Sequence, residues 1–144
     1  MRTCWAFTIG FSALPAMNFN DLIGLEHGWG GNPGDGSGKA DCFLLACEVH
    51  RRLGYHDYRE DFNWVFEKYT EHTFPFRWII KWLNENGRRL DGPRPHAIAL
   101  LDGSMGAALG TVMDNGEVLF IAPSRLVVRS AIPANIGHYF WMDK

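Results

Sequence analysis

Apolar residues fall into a helical rhythm from position 42 onward. In DCFLLACEVHRRLG, Cys42, Leu45, Ala46, Val49 and Leu53 recur at the spacing of one helix face, which predicts a helix with that face buried. Asp41 stands where an N-cap belongs, and Gly54 where a helix stops. A second stripe, Phe76, Ile79, Ile80 and Leu83, predicts a helix from Phe76 to Asn86 that ends at Gly87, with Trp78 and Trp82 beside the stripe. Weaker patterns predict a helix from roughly Glu60 to Tyr69. They also predict a short one over residues 18–27, capped by Asn20 or Asn18, with Leu22, Ile23 and Leu25 as its apolar contacts.

After Pro93 the pattern changes to strands. HAIALL, AALGTVM and EVLFIA read as a three-stranded meander, and Asn115-Gly116 is a strong hairpin signal. A hairpin centred near Ser104 would set Ala108 opposite Leu100. Further strands are expected near Leu126–Arg129 and His138–Trp141. Helices first and sheet second is the α+β arrangement: N-terminal helices packed on a small antiparallel sheet.

Composition narrows the picture. A chain of 144 residues with 47% hydrophobic and 21% charged residues is expected to form one globular domain, here residues 18–144. A formal charge of −2 gives no basic footprint for nucleic acid. Arg51-Arg52 and Arg88-Arg89 read as solvated pairs. Residues 1–17 mimic a short signal peptide, but Thr3, Thr8, Gly10, Ser12 and Pro15 interrupt the apolar run. An extended N-terminal arm is expected there, too short and broken to span a bilayer. Three cysteines, two of them five apart on one helix, do not support a disulfide framework, which points to assembly in a reducing cytoplasm.

Candidate chemistry centres on Cys42. A glycine-rich loop, GWGGNPGDGSGKA over residues 28–40, leads into Asp41-Cys42 and then the helix. A cysteine in the first helical turn feels the positive end of the helix dipole, which favours the thiolate. A thiol hydrolase then needs an imidazole within hydrogen-bond reach and a third polar group to orient it. The same loop fails as a phosphate loop, because Pro33 stands at the first required glycine and Ala40 where Ser or Thr would hold magnesium. Cys42, Cys47 and His50 are split across helix faces and lack a fourth ligand, so no metal site is expected, and no cofactor.

The segment Ala40-Asp41-Cys42-Phe43-Leu44-Leu45 with Gly54 resembles the nucleophile segment of the papain-like NlpC/P60 cell-wall hydrolases. Ile23-Gly24-Leu25 through Gly30-Gly31 is similar to a stretch upstream of the cysteine in the phage-tail branch of that family. His96 to Leu101 and Ala108 to Gly116, followed by Ala122-Pro123-Ser124, resemble its strands. The resemblance spans about residues 20–130 and implies a papain-like NlpC/P60-type fold with Cys42 at the nucleophile position. It also implies that Ala108 replaces the catalytic histidine, Ile121 the third polar residue and Phe43 the serine after the cysteine. The same pattern is similar to an uncharacterised family of small phage proteins.

Other histidines are poor substitutes. In the expected register His96 lies four residues from the required position, about 13 Å at roughly 3.3 Å per residue. His27 and His138 lie in loosely defined segments and could approach only by an unusual route; His50, His56 and His72 are expected to face solvent. The expectation is therefore a virion protein: an inactive NlpC/P60-like domain serving as a structural or adaptor piece of a phage tail. It would be assembled in the host cytoplasm, in several copies of a symmetric particle, against hub, nozzle or fibre proteins. An active cysteine peptidase or amidase acting on peptidoglycan is the alternative. A module that holds cell-wall peptide without cutting it is the third reading.

Overall fold

Asp41 is where the chain turns from loop to helix, and its side chain does the turning. In the computed structural model, which describes residues 19–62, 76–103, 106–134 and 136–143, Asp41 is extended (φ −106, ψ 165) and its Oδ1 accepts the Leu44 N–H at 2.8 Å. Helix α1 (Cys42–Arg52) follows. It closes as the sequence suggests: Gly54 takes a φ of 92, its N–H bonds to Arg51 O, and the Tyr55 N–H reaches back to His50 O. Only a residue at ease with positive φ completes this paired closure, which satisfies carbonyls that the last turn leaves open.

The described elements are β1 (Glu26–His27), β2 (Lys39–Ala40), α1, a 3-10 turn (Tyr58–Glu60), α2 (Phe76–Asn86) and six further strands. These are β3 (Gly87–Leu90), β4 (Ile98–Gly103), β5 (Gly106–Val112), β6 (Val118–Ile121), β7 (Val127–Ser130) and β8 (Ile136–Met142). The six form one antiparallel sheet in the order β3-β8-β4-β5-β6-β7. Two helices on such a sheet make the α+β class expected from the sequence. Among the described residues no helix is long and apolar enough to cross a membrane.

Both helices pack on one sheet face. Phe43, Leu44, Ala46 and Cys47 of α1 join Ile79, Trp82 and Leu83 of α2 over Ile98, Leu100, Leu109, Phe140 and Met142. The other side of α1, Leu45 and Val49, packs with Met113, Leu119 and Val127. So α1 is not buried on one face alone, as its periodicity suggested; from Phe43 to His50 every residue is buried. Each large side chain taken fully out of water contributes roughly 1.5–3 kcal/mol, which makes α1 the centre of the fold. Ala97, Ala99, Leu101, Val112, Val118 and Phe120 form a separate cluster on the opposite sheet face.

Several expectations need correction. Residues 18–27 do not form a helix in their described part: hydrogen-bonded turns run from Phe19 to Gly24, and β1 follows. Gly24, at a φ of 91, ends the turn, and the sheet edge then captures the chain. The Gly24 N–H bonds to Val127 O and the Val127 N–H to Leu25 O, so tertiary pairing overrides the local helical pattern. The arm over residues 1–17 lies outside the described residues. So does most of the helix expected from Glu60 to Tyr69, of which Glu60 ends the 3-10 turn and Asp61 and Phe62 are not helical.

Strand β3 was not expected. It begins directly at the end of α2, where Gly87 allows a close crossing: a Cβ there would sit 2.9 Å from both Leu83 O and Met142 Sδ. The β4–β5 register also differs by one residue. Leu100 pairs with Leu109, and Leu101 with Ala108. Because side chains alternate, that single step changes which face each residue of β5 presents.

Candidate functional site around Cys42

Cys42 is the first residue of α1, partly exposed, at the edge of the core cluster that holds Phe43 and Leu109. Its surroundings act against ionisation. Burial and then the neighbouring Asp41 carboxylate push the thiol up to about 12, while backbone N–H groups of Leu109, Phe43 and Cys42 itself pull it down and are outweighed. The N-terminal position in α1 therefore does not deliver the low thiol pKa that the sequence pattern suggested. At pH 7 these surroundings favour the neutral thiol over the thiolate.

The register decides what faces the sulfur. Leu109, on the α1 side of the sheet, brings its backbone N–H to the Cys42 thiol. Ala108 pairs with Leu101, whose cluster lies on the far face, so Ala108 points away from α1. Ile121 ends β6 on the α1 side, half-buried against Leu45, Val49, Leu119 and Val127. Phe43 is fully buried, edge-on to Trp78 at 5.5 Å and to Trp82 at 5.0 Å.

Each described imidazole has neighbours of its own. His27 Nδ1 faces the Arg125 guanidinium at 3.3 Å and its ring meets Trp29 edge-on at 4.6 Å; burial and then Arg125 lower its pKa. His56 is bound to Asp61 at 2.6 Å. His96 lies between Tyr55 and Asp114. His50 corrects the expectation of a solvent-facing ring: it is buried against Tyr55 and Tyr58, and burial, followed by the charges of His96 and His56, brings it down to about 4. His72 lies outside the described residues. His138 is exposed and sits opposite Leu100 on β8, which places it in line with Leu100 and Leu109 on the α1 side. Two strand spacings separate it from Leu109, about 10 Å.

The glycine loop is anchored rather than free. Asp41 Oδ2 accepts the Gly30 N–H at 3.0 Å, and the Asp41 N–H bonds to Gly31 O. A Cβ on Gly31 would stand 2.8 Å from Ala40 N, so the loop closes against its own exit only because that residue is glycine. Asn32 accepts from Arg59 at 2.8 Å, and Arg59 in turn binds Glu48 at 2.6 Å.

Glu48 was not singled out by sequence reasoning, although its i, i+4 spacing to Arg52 was a visible signal. It lies buried on α1 and also binds Arg51 and Arg52, each at 2.7 Å. Burial opposes its ionisation, but hydrogen bonds from Arg51, Arg52 and Arg59 prevail and hold the carboxyl at about 2. Arg52 continues to Asp21 at 2.7 Å. It is therefore a structural link between α1 and the N-terminal turns, not a solvated charge.

Among the described residues no group of three His, Cys, Asp or Glu side chains is arranged to hold a metal ion. Comparison with family models, curated proteins and solved structures finds no match for this chain.

Proposed function

We propose that the chain is a catalytically silent, NlpC/P60-like domain that serves as a structural or adaptor component of a bacteriophage tail. In this reading it docks other tail proteins, of hub, nozzle or fibre type, and is incorporated into virions assembled in the host cytoplasm. The observation that carries the silent site is Cys42 itself: a thiol at the start of α1, raised to about 12 by burial and Asp41, with Leu109 beside it. A thiol hydrolase needs a base at that place to take the proton as the sulfur attacks. Papain-like ancestry is supported by the cysteine-headed helix lying across an antiparallel sheet, and the tail assignment by the sequence resemblance.

Two measurements test it together. Mass spectrometry of purified particles of the phage that encodes the chain should find it as a stoichiometric component. Purified protein should clear a cell-wall suspension no faster than its Cys42→Ala variant. Absence from particles overturns the tail role, and Cys42-dependent clearing overturns the silent site.

One observation favours a second reading, a cysteine peptidase or amidase acting on peptidoglycan. His138 shares the α1 side of the sheet with Leu109 and is exposed. Clearing that is lost in both Cys42→Ala and His138→Ala would establish that reading in place of the first.

A further inference from the structure

A continuous hydrogen-bonded chain of three side chains stands at the far end of α1 from Cys42. Tyr55 follows the helix stop at Gly54, and its hydroxyl meets His96 Nδ1 at 2.8 Å. His96 Nε2 meets Asp114 Oδ1 at 2.6 Å. The three residues come from the segment after α1, the approach to β4 and the turn between β5 and β6. Neither the Cys42 site nor the core requires them to be joined in this order.

The order is that of an activated nucleophile. The Asp114 carboxylate accepts the Nε2–H and so fixes the tautomer, which leaves the Nδ1 lone pair to receive the Tyr55 proton. Carboxylate, imidazole and hydroxyl then stand in the sequence of a hydrolase triad, with a phenol in place of the alcohol and the two ring nitrogens exchanged. His96 holds a φ of 76, rare for a residue with a side chain, and its N–H is bound to Val112 O at 2.6 Å. The Tyr55 ring is framed by His50 at 4.9 Å and edge-on by Trp141 at 5.9 Å. The Arg94 guanidinium lies 3.9 Å above the Trp141 ring, which brings a permanent cation to the same corner. Tyr55 and His96 are half-buried and Asp114 is exposed, so the chain of groups is open to small solutes.

We propose that Tyr55 is a nucleophile toward small activated acyl esters, with His96 as its general base and Asp114 as the residue that positions the ring. A phenol displaces only a leaving group less basic than itself, which selects activated esters over amides. In the step, the Tyr55 oxygen attacks the acyl carbon and its proton passes to His96 Nδ1. A phenol ester forms on Tyr55, the bond from acyl carbon to the leaving oxygen breaks, and the leaving group departs as its anion. The inference goes beyond the structural role proposed above and does not depend on it.

The test uses full-length protein and p-nitrophenyl acetate, with acetylated residues mapped by mass spectrometry. Tyr55 should be acetylated at least about a hundred-fold faster than the half-buried Tyr139, the lower end of what general-base assistance supplies. Tyr55→Phe keeps the ring packing and should lose the label. His96→Gly suits the positive φ, so it should fold, lose the rate advantage and regain it when free imidazole is added. Asp114→Asn should slow acetylation without lowering the melting temperature, and Asp114→Glu should restore part of the rate. Labelling that follows exposure alone, a His96→Gly chain as fast as wild type, or one that imidazole does not rescue would each overturn the proposal.

Discussion

The Cys42 thiol meets the backbone N–H of Leu109 on β5. One residue earlier, Ala108 points to the other side of the sheet. The pairing of β5 with β4 therefore fixes which substitution can reach the sulfur and which cannot.

Leu109→His and Ala108→His separate the two positions. Leu109→His should place an imidazole beside the thiol and raise its alkylation rate by iodoacetamide at neutral pH. It should also cost about 2–4 kcal/mol in chemical denaturation, because it exchanges a buried leucine for a polar ring. Ala108→His should leave the alkylation rate at the wild-type value. Equal acceleration by both would contradict the register.

Asp41 raises the thiol pKa and caps the helix at the same time, so Asp41→Asn should show two opposed effects. Loss of the carboxylate charge should lower the thiol pKa and speed alkylation of Cys42. The amide keeps an acceptor for the Leu44 N–H but turns a donor toward that of Gly30, which should cost about 1–3 kcal/mol. Alkylation rates against pH, paired with urea denaturation, read both.

His50 gives stability a pH dependence above the carboxylate range. Its folded pKa is lowered from 6.5 to about 4, so between those values the unfolded chain binds a proton that the folded chain does not. Stability should be complete above pH 6.5 and fall by about 3 kcal/mol as pH drops toward 4. His50→Phe, which preserves the stacking on Tyr55 and Tyr58, should flatten that slope in thermal melts. An unchanged slope would contradict the burial of a neutral ring.

Glu48 joins α1 to the segment that carries Arg59. Glu48→Gln should leave Arg51, Arg52 and Arg59 without their shared carboxylate and destabilise the fold by about 3–5 kcal/mol, the cost of breaking rather than replacing a buried pair. Glu48 stabilises above pH 4.5, and that stabilisation is lost as pH falls toward about 2, a window that lies mostly below that of His50. Urea denaturation of the variant at neutral pH, and of wild type through the acid range, checks both statements.

Much of this fold was legible because its signals are local. The Asp41 cap, the Gly54 stop, the bounds of α2 and the Asn115-Gly116 turn each depend on residues a few positions apart. Register was not, since Gly103 to Gly106 closes a shorter hairpin than one centred on Ser104, and no residue in the strands announces a one-step difference. Strand β3 was missed because Arg88 and Arg89 are exposed on an edge, where a strand needs no apolar alternation. Of the site, the sequence located Cys42 at the head of its helix. It did not locate Leu109 beside the sulfur, the buried His50, or the chain of Tyr55, His96 and Asp114, which exist only once β4 and the β5–β6 turn come together.

The protonation state of Cys42 is the point on which the silent site stands. Ultraviolet difference titration of the thiolate, comparing wild type with Cys42→Ser in the folded state, measures it directly. A Cys42 transition that stays absent through pH 9 and rises only toward about 12 is the expected result. A midpoint near or below neutral pH would mean that a base or cation activates the sulfur, and the silent-site reading would fall.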